Sequence, residues 1–266
     1  MLGLMLSAVP VLFLMAVAMW LVSLYTDDVS IVDYSWSIML LTGAVVYAVR
    51  VGIESTVNAV LLLMVAIWAL RLAGFLIKRG RNRPEDRRYR AIRKKNGPNF
   101  ALKSFYLIFI LQAFLAWVIS ASFVPGFLVD SVLDWTILHS LGTSIWLLGV
   151  IIETIADNQL HQFNQLVVKD QHTLNTGLWR YSRHPNYFGE FCIWWGWCVF
   201  AIPGAIAAAS PLILIAPMVM TVLLLKVSGV SLMERGIVDR RPDYQSYRDC
   251  TSSFFPWPPL KKVSDK

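Results

Sequence analysis

The chain has 266 residues, of which 56% are hydrophobic and only 15% charged, with a formal net charge of +7. With a mean hydropathy of +0.56, one water-soluble core is excluded, because a chain this size cannot bury so much apolar surface. The composition specifies a polytopic membrane protein, and its three cysteines imply no disulfide framework.

A helix needs about 20 mainly apolar residues to cross the hydrocarbon. In chain order this criterion predicts seven transmembrane helices, near Leu2–Tyr25, Val32–Val51, Thr56–Ile77, Phe105–Phe123, Trp135–Ala156, Tyr187–Ile202 and Ala205–Val230. The fold expected is all-α, with residues 1–266 as a single transmembrane domain. The first span carries no basic n-region or cleavage site of signal-peptide type, and Pro10 is expected to kink it. Ile202-Pro203-Gly204 is expected to break the chain between the last two spans.

Basic residues set the orientation. Lys78, Arg79, Arg81, Arg87, Arg88, Arg93 and several others crowd the segment between Ile77 and Phe105, whereas the turns near Gly52–Ser55, Pro125–Asp134 and Pro203–Ser210 hold no Lys or Arg. The positive-inside rule makes that segment cytoplasmic, which puts the N-terminus outside and the C-terminus in the cytoplasm. Topology accounts for the basic residues without a nucleic acid, and no nucleic-acid motif accompanies them. No protein partner is implied. The absence of CxxC pairs, zinc-ligand clusters, Walker-type loops and GxGxxG argues against a metal site or a soluble nucleotide fold.

Polar residues near the cytoplasmic boundary are the candidates for function. Asp33 and Tyr34 open the second span, with Trp36 and Ser37 behind them. Asp33 reads either as a helix-N-terminal carboxylate or as a proton donor kept protonated by Trp36, Met39 and Trp68. Arg71, followed by Arg79 and Arg81, either snorkels to the headgroups or meets a carboxylate or phosphate; Lys226 and Glu234 pose the same choice. Glu153 and Asp157 share a helix face that His161 continues, to pair with the basic loop or to bind cofactor hydroxyl and amide groups. Arg183 and His184 precede a helix with Pro185 in its first turn, a setting that favours an anion such as phosphate. Asn186 and Glu190 share the next face; interfacial anchoring explains Trp179 and Tyr187 but not these two.

The stretch Gly177–Glu190, centred on Arg183-His184-Pro185-Asn186-Tyr187, and the tail motif Arg241-Pro242-Asp243-Tyr244-Gln245-Ser246-Tyr247 followed by Phe255-Pro256-Trp257 resemble the bacterial branch of the steroid 5-alpha-reductase family of integral membrane enzymes. The resemblance covers Trp146 to Trp257 and, more thinly, Asp33–Trp36 and Arg71–Tyr89. It implies seven helices, NADPH bound from the cytosolic side, and reduction of the carbon–carbon double bond of an enone such as a 3-oxo-4-ene steroid. By position, Asp157, Asn186 and Glu190 match cofactor-contacting residues, Tyr181 falls within the motif, and Arg71, Arg79 and Arg81 correspond to the basic stretch closing the third helix. Arg183, His184 and Glu153 join the cofactor set on the residue reading above, although the animal enzymes have Asn in place of Glu153. The family's catalytic pair lies on its second and third helices, and Trp68 stands near the position of its Tyr. The acid is therefore expected at Asp33 or Tyr34, with Trp36 and Trp68 against an apolar, steroid-like substrate entering from the bilayer.

The substrate side is then expected mainly in residues 1–125, and the cofactor side mainly in 140–257 plus the basic loop 78–103, in a multi-pass protein of the bacterial inner membrane. The Arg-His-Pro element also occurs in S-adenosylmethionine-dependent isoprenylcysteine methyltransferases, but their final-helix Arg-x-Glu is missing from Lys226–Glu234. A non-catalytic sterol- or lipid-binding membrane protein, or a transporter, is the alternative from a different class.

Overall fold

The computed structural model describes residues 1–81, 84–128, 135–165, 172–227, 241 and 243–260. Among these, every regular element is helical. Six stretches are long and apolar enough to cross a membrane: Leu2–Thr26, Ile31–Val51, Thr56–Gly80, Phe100–Phe127, Ile137–Phe163 and Pro185–Ala207. Their outward side chains, such as Leu63, Leu70, Phe114 and Leu148, are apolar and exposed, as contact with lipid requires. The chain divides into two compact units, Met1–Ile137 with Ala201–Ala216, and Leu138–Phe200 with Pro217–Lys266.

The first unit contains α1 (Leu2–Ser7), α2 (Val9–Thr26), α3 (Ile31–Val51), α4 (Thr56–Gly80), α5 (Arg87–Asn96), α6 (Phe100–Ser104), α7 (Leu111–Ser120) and α8 (Val124–Phe127). The expected kink in the first span is a division at Ala8, with Pro10 in the first turn of α2, where its missing N–H costs no hydrogen bond. Ser55 caps α4 by accepting the Asn58 N–H at 3.1 Å, and Asp86 caps α5 by accepting that of Arg88 at 2.9 Å, each satisfying an orphan donor. Across the α3/α4 contact the Ser37 hydroxyl donates to the Ala69 carbonyl at 2.9 Å. Gly43 lets α7 approach α3, since a Cβ there would lie 2.8 Å from Ser120 Oγ. Met39, Leu61, Trp68, Phe109 and Phe123 fill the core.

The second unit is organised by α9 (Ile137–Phe163) and α10 (Pro185–Ala207). The buried face of α9 repeats every seven residues: His139, Trp146 and Glu153 alternate with the small residues Gly142, Gly149 and Ala156. Along α10, Gly189 and Gly196 alternate with the fully buried Ile193 and Phe200. The two faces interlock antiparallel, large against small. A Cβ on Gly149 would meet Ile193 Cγ1 at 2.8 Å, and one on Gly196 would meet the Trp146 backbone nitrogen at 2.6 Å. A seven-residue period keeps such a face against its partner along the whole contact.

One expectation needs revision. Helix α10 does not break at Ile202-Pro203-Gly204 but runs through Pro203 to Ala207. One lost hydrogen bond costs less than opening several backbone groups in an apolar helix. The turn comes later, where Ala209 has φ 46° and Ser210 accepts the Leu212 N–H at 3.4 Å. From Pro211 an apolar helical stretch, including α11 (Ile215–Val222), reaches Lys226 and is shorter than the other six. The expected seventh span extends to residues 228–230, outside those described. The tail contains α12 (Tyr244–Cys250).

Candidate functional site

At one end of the α9/α10 contact the glycines give way to carboxylates. Glu153 and Asp157 are each 5% exposed and Glu190 7%. Gly189 makes room for this, because a Cβ there would lie 2.7 Å from the Glu153 backbone nitrogen and 2.8 Å from the Gly149 carbonyl oxygen. The two faces expected from the sequence meet here: Asn186 Nδ2 donates to Asp157 Oδ1 at 3.3 Å. One turn further along α10, Trp194 Nε1 donates to Glu190 Oε1 at 2.8 Å. Buried carboxylates in a membrane helix pair are costly, and these donors offset part of that cost. Among the described residues, no group of three His, Cys, Asp or Glu side chains is placed to hold a metal ion.

The turn leading into α10 is fastened to α9. Gly177, at φ 59°, sits against Gln159, whose Oε1 accepts the Leu178 N–H at 3.0 Å, and Trp179 Nε1 donates to the Ala156 carbonyl at 3.1 Å. Ser182 Oγ accepts the His184 N–H at 3.1 Å and donates to the Phe254 carbonyl at 2.8 Å. The buried His184 ring stacks on Tyr187, centroids 5.4 Å apart.

Arg183 is engaged by the tail. Its backbone N–H donates to the Ser252 carbonyl at 2.9 Å, and its Nη1 donates to the carbonyls of Arg248 and Thr251, both at 2.8 Å. These lie at the C-terminal end of α12, where a cation satisfies orphan acceptors and the helix dipole. Arg183 thus ties the tail to the turn. Tyr181 takes part through its carbonyl, which accepts the Trp257 N–H at 2.9 Å, while its ring is exposed.

In the first unit a cavity of about 110 Å³ is lined by residues that include Asp28, Asp33, Tyr34, Arg79, Gly80 and Asp86. It gathers three of the sequence candidates, Asp33, Tyr34 and Arg79. Gly80 accommodates the Tyr34 phenol, because a Cβ there would lie 2.9 Å from Tyr34 Cζ. The apolar setting expected for Asp33 is not what surrounds its carboxylate: Arg88 Nη2 and Tyr89 Oη each donate to it at 2.6 Å. Both partners come from α5, some 55 residues away in sequence, which local reading could not reveal. Met39 and Trp68 are fully buried core residues, and Trp36 is half-buried. Burial, reinforced by the Asp33 carboxylate, pushes the Tyr89 phenol up, so it stays a neutral donor. Burial would raise Asp86 too, but the Arg88 N–H and guanidinium outweigh it and hold its carboxyl below the usual range.

Arg71 is half-buried on α4, while Arg79 and Arg81 are exposed at its end. Lys226 is exposed, and Glu234 lies outside the described residues. What the sequence reading missed is the pairing role of Arg88, Tyr89 and Arg93, and the glycine repeat. The seven-residue spacing of Gly142 and Gly149, and of Gly189 and Gly196, was the available signal.

These features define an all-helical, multi-pass membrane protein with buried carboxylates at a glycine-lined helix contact. The family model described as "Protein of unknown function (DUF1295)" matches residues 19–251, and the chain belongs to that family. It is 24% identical over 281 residues to the uncharacterized protein C594.04c of Schizosaccharomyces pombe, a match covering 96% of this chain and 78% of that protein. No solved structure matches.

Proposed function

We propose that the protein is an NADPH-dependent reductase of the carbon–carbon double bond of an apolar enone, similar to the steroid 5-alpha-reductases. The reading includes seven spans, an N-terminus outside, and the basic segment and tail in the cytoplasm. The observation that carries it is the Asp157–Asn186 pair, with Glu153 and Glu190 buried beside it at the end of the glycine-lined contact. The donor set fits part of the cofactor: the carboxylates and amide of α9 and α10 suit ribose hydroxyls and a carboxamide. Asp157 would accept from a hydroxyl with Asn186 holding its second oxygen in place, and Glu153 and Glu190 would complete the acceptors.

Bound NADPH would supply the hydride. The acid task falls to Tyr34. Asp33 accepts two charge-assisted or short hydrogen bonds and is an acceptor, not a donor. Tyr34 lines the cavity, where its hydroxyl would hydrogen-bond the ketone oxygen and stabilise the charge that develops there. Arg79 lines the same cavity and would offset that charge. At about 110 Å³ the cavity takes only the polar end of a substrate, since pockets enclosing drug-sized ligands begin at roughly 300 Å³. The apolar remainder of a steroid-like molecule would stay in hydrocarbon.

Titrating the purified protein with NADPH, NADH and S-adenosylmethionine while following its melting temperature tests the reading, because a ligand of the native state raises it. Stabilisation by NADPH, with NADPH consumption on adding a steroid enone, is expected. Stabilisation by S-adenosylmethionine alone would move the protein to the methyltransferases, and no response to any of the three would overturn the cofactor reading.

A further inference from the structure

Helix α5 is divided lengthwise by what its cations do. At 100° per residue, Arg88, Tyr89, Ile92, Arg93 and Asn96 fall on one arc, and Arg87, Arg90, Ala91, Lys94 and Lys95 on the other. The first arc is the docked one. Arg88 and Tyr89 hold Asp33, and Arg93 bonds Glu85 and Asp27, both at 2.9 Å. Tyr89 is buried, and Ile92, Arg93 and Asn96 are half-buried. Every residue of the second arc is exposed, and among the described residues no carboxylate pairs with Arg87, Arg90, Lys94 or Lys95.

The place of this face in the fold says what it meets. Only six residues separate the end of α4 at Gly80 from α5, and three separate α5 from the stretch Phe100–Phe127, both candidate spans. At its C-terminal end Lys103 Nζ donates to the Asn96 carbonyl at 2.8 Å, and Trp20 Nε1 to the Ala101 carbonyl at 2.8 Å; indoles are enriched at the headgroup level of membrane proteins. Four cations on a helix docked through its other arc and lying between two candidate spans match the phosphates of a lipid surface in charge and position, and basic clusters next to a span attract anionic headgroups.

We propose that the outward face of α5, formed by Arg87, Arg90, Lys94 and Lys95, is a docking surface for the anionic phospholipid headgroups of the adjoining leaflet. The docked arc pre-orders the helix, so the lipid does not have to order it on binding. The proposal is independent of the enzymatic reading.

The test uses the full chain in vesicles containing spin-labelled phosphatidylglycerol or phosphatidylcholine, with the motionally restricted fraction read for each. The wild type should retain phosphatidylglycerol over phosphatidylcholine by at least about threefold at low salt, falling toward parity at about 0.5 M salt. The combined variant Arg87→Gln, Arg90→Gln, Lys94→Gln and Lys95→Gln should lose the preference, while Arg50→Gln, at the far end of α3, should keep it. Should the combined variant fail to fold, Arg90→Glu alone should still lower it. A wild type without preference, one insensitive to salt, or a folded variant that keeps the full preference would overturn the proposal. So would loss of NADPH affinity in the combined variant with lipid preference intact, which would give the face to the cofactor's phosphates.

Discussion

Gly189 and Glu153 occupy facing positions on α10 and α9, so close that a Cβ on the glycine would stand 2.7 Å from the Glu153 backbone nitrogen. Backbone cannot rotate away as a side chain can, so any larger residue must push the helices apart just where the carboxylates lie. Gly189→Ala and Gly196→Ala should each destabilise by about 1–3 kcal/mol, as overpacking does, and lower the melting temperature by several degrees. Gly74→Ala on α4, with nothing within 4 Å of the added Cβ, should be neutral or stabilise by about 0.5–1 kcal/mol. Equal effects at Gly74 and Gly189 would show that the close contact is not what these glycines serve.

Tyr34 and Gly80 make a second dependent pair. Tyr34→Phe removes the proposed acid and should lower enone turnover by ~10²-fold or more with NADPH affinity nearly unchanged. Gly80→Ala should mimic it by displacing the phenol. Wild-type turnover in Tyr34→Phe would place the acid elsewhere.

The docking of α5 should depend on pH at both extremes. Asp86 has a lowered folded pKa, so its contribution is present above the ordinary carboxylate value of about 4 and is lost as pH falls through the folded one. Tyr89 has a raised folded pKa, so its contribution is present below the ordinary phenol value of about 10 and is lost as pH climbs through the folded one. A spin label at the exposed Ala91 should therefore be immobile between roughly pH 4 and 10 and gain mobility outside that window. Asp86→Asn should make the acid limb shallower and leave the alkaline limb in place; an unchanged acid limb would remove Asp86 from the account.

The spans were legible because membrane helices advertise themselves as long apolar runs, and six of them stand close to where the sequence puts them. The faces Glu153/Asp157 and Asn186/Glu190 were legible too, because a spacing of four fixes a helix face. Pro203 was misread since a local breaker rule derived for water ignores how costly open backbone is in lipid. The surroundings of Asp33 and Arg183 were not legible for a different reason: their partners, Arg88 with Tyr89 and the carbonyls of Arg248 and Thr251, lie more than fifty residues away. Tertiary pairing of that kind leaves no periodic trace.

The most direct test of the central claim is NADPH affinity in Asn186→Ala and Asp157→Asn, measured by quenching of intrinsic tryptophan fluorescence in protein whose melting temperature matches the wild type. Loss of a charge-assisted acceptor or of the donor that positions it should weaken binding by about 1–3 kcal/mol, roughly 5- to 150-fold. Wild-type NADPH affinity in both variants, with the fold intact, would contradict the assignment of the α9/α10 carboxylates to the cofactor.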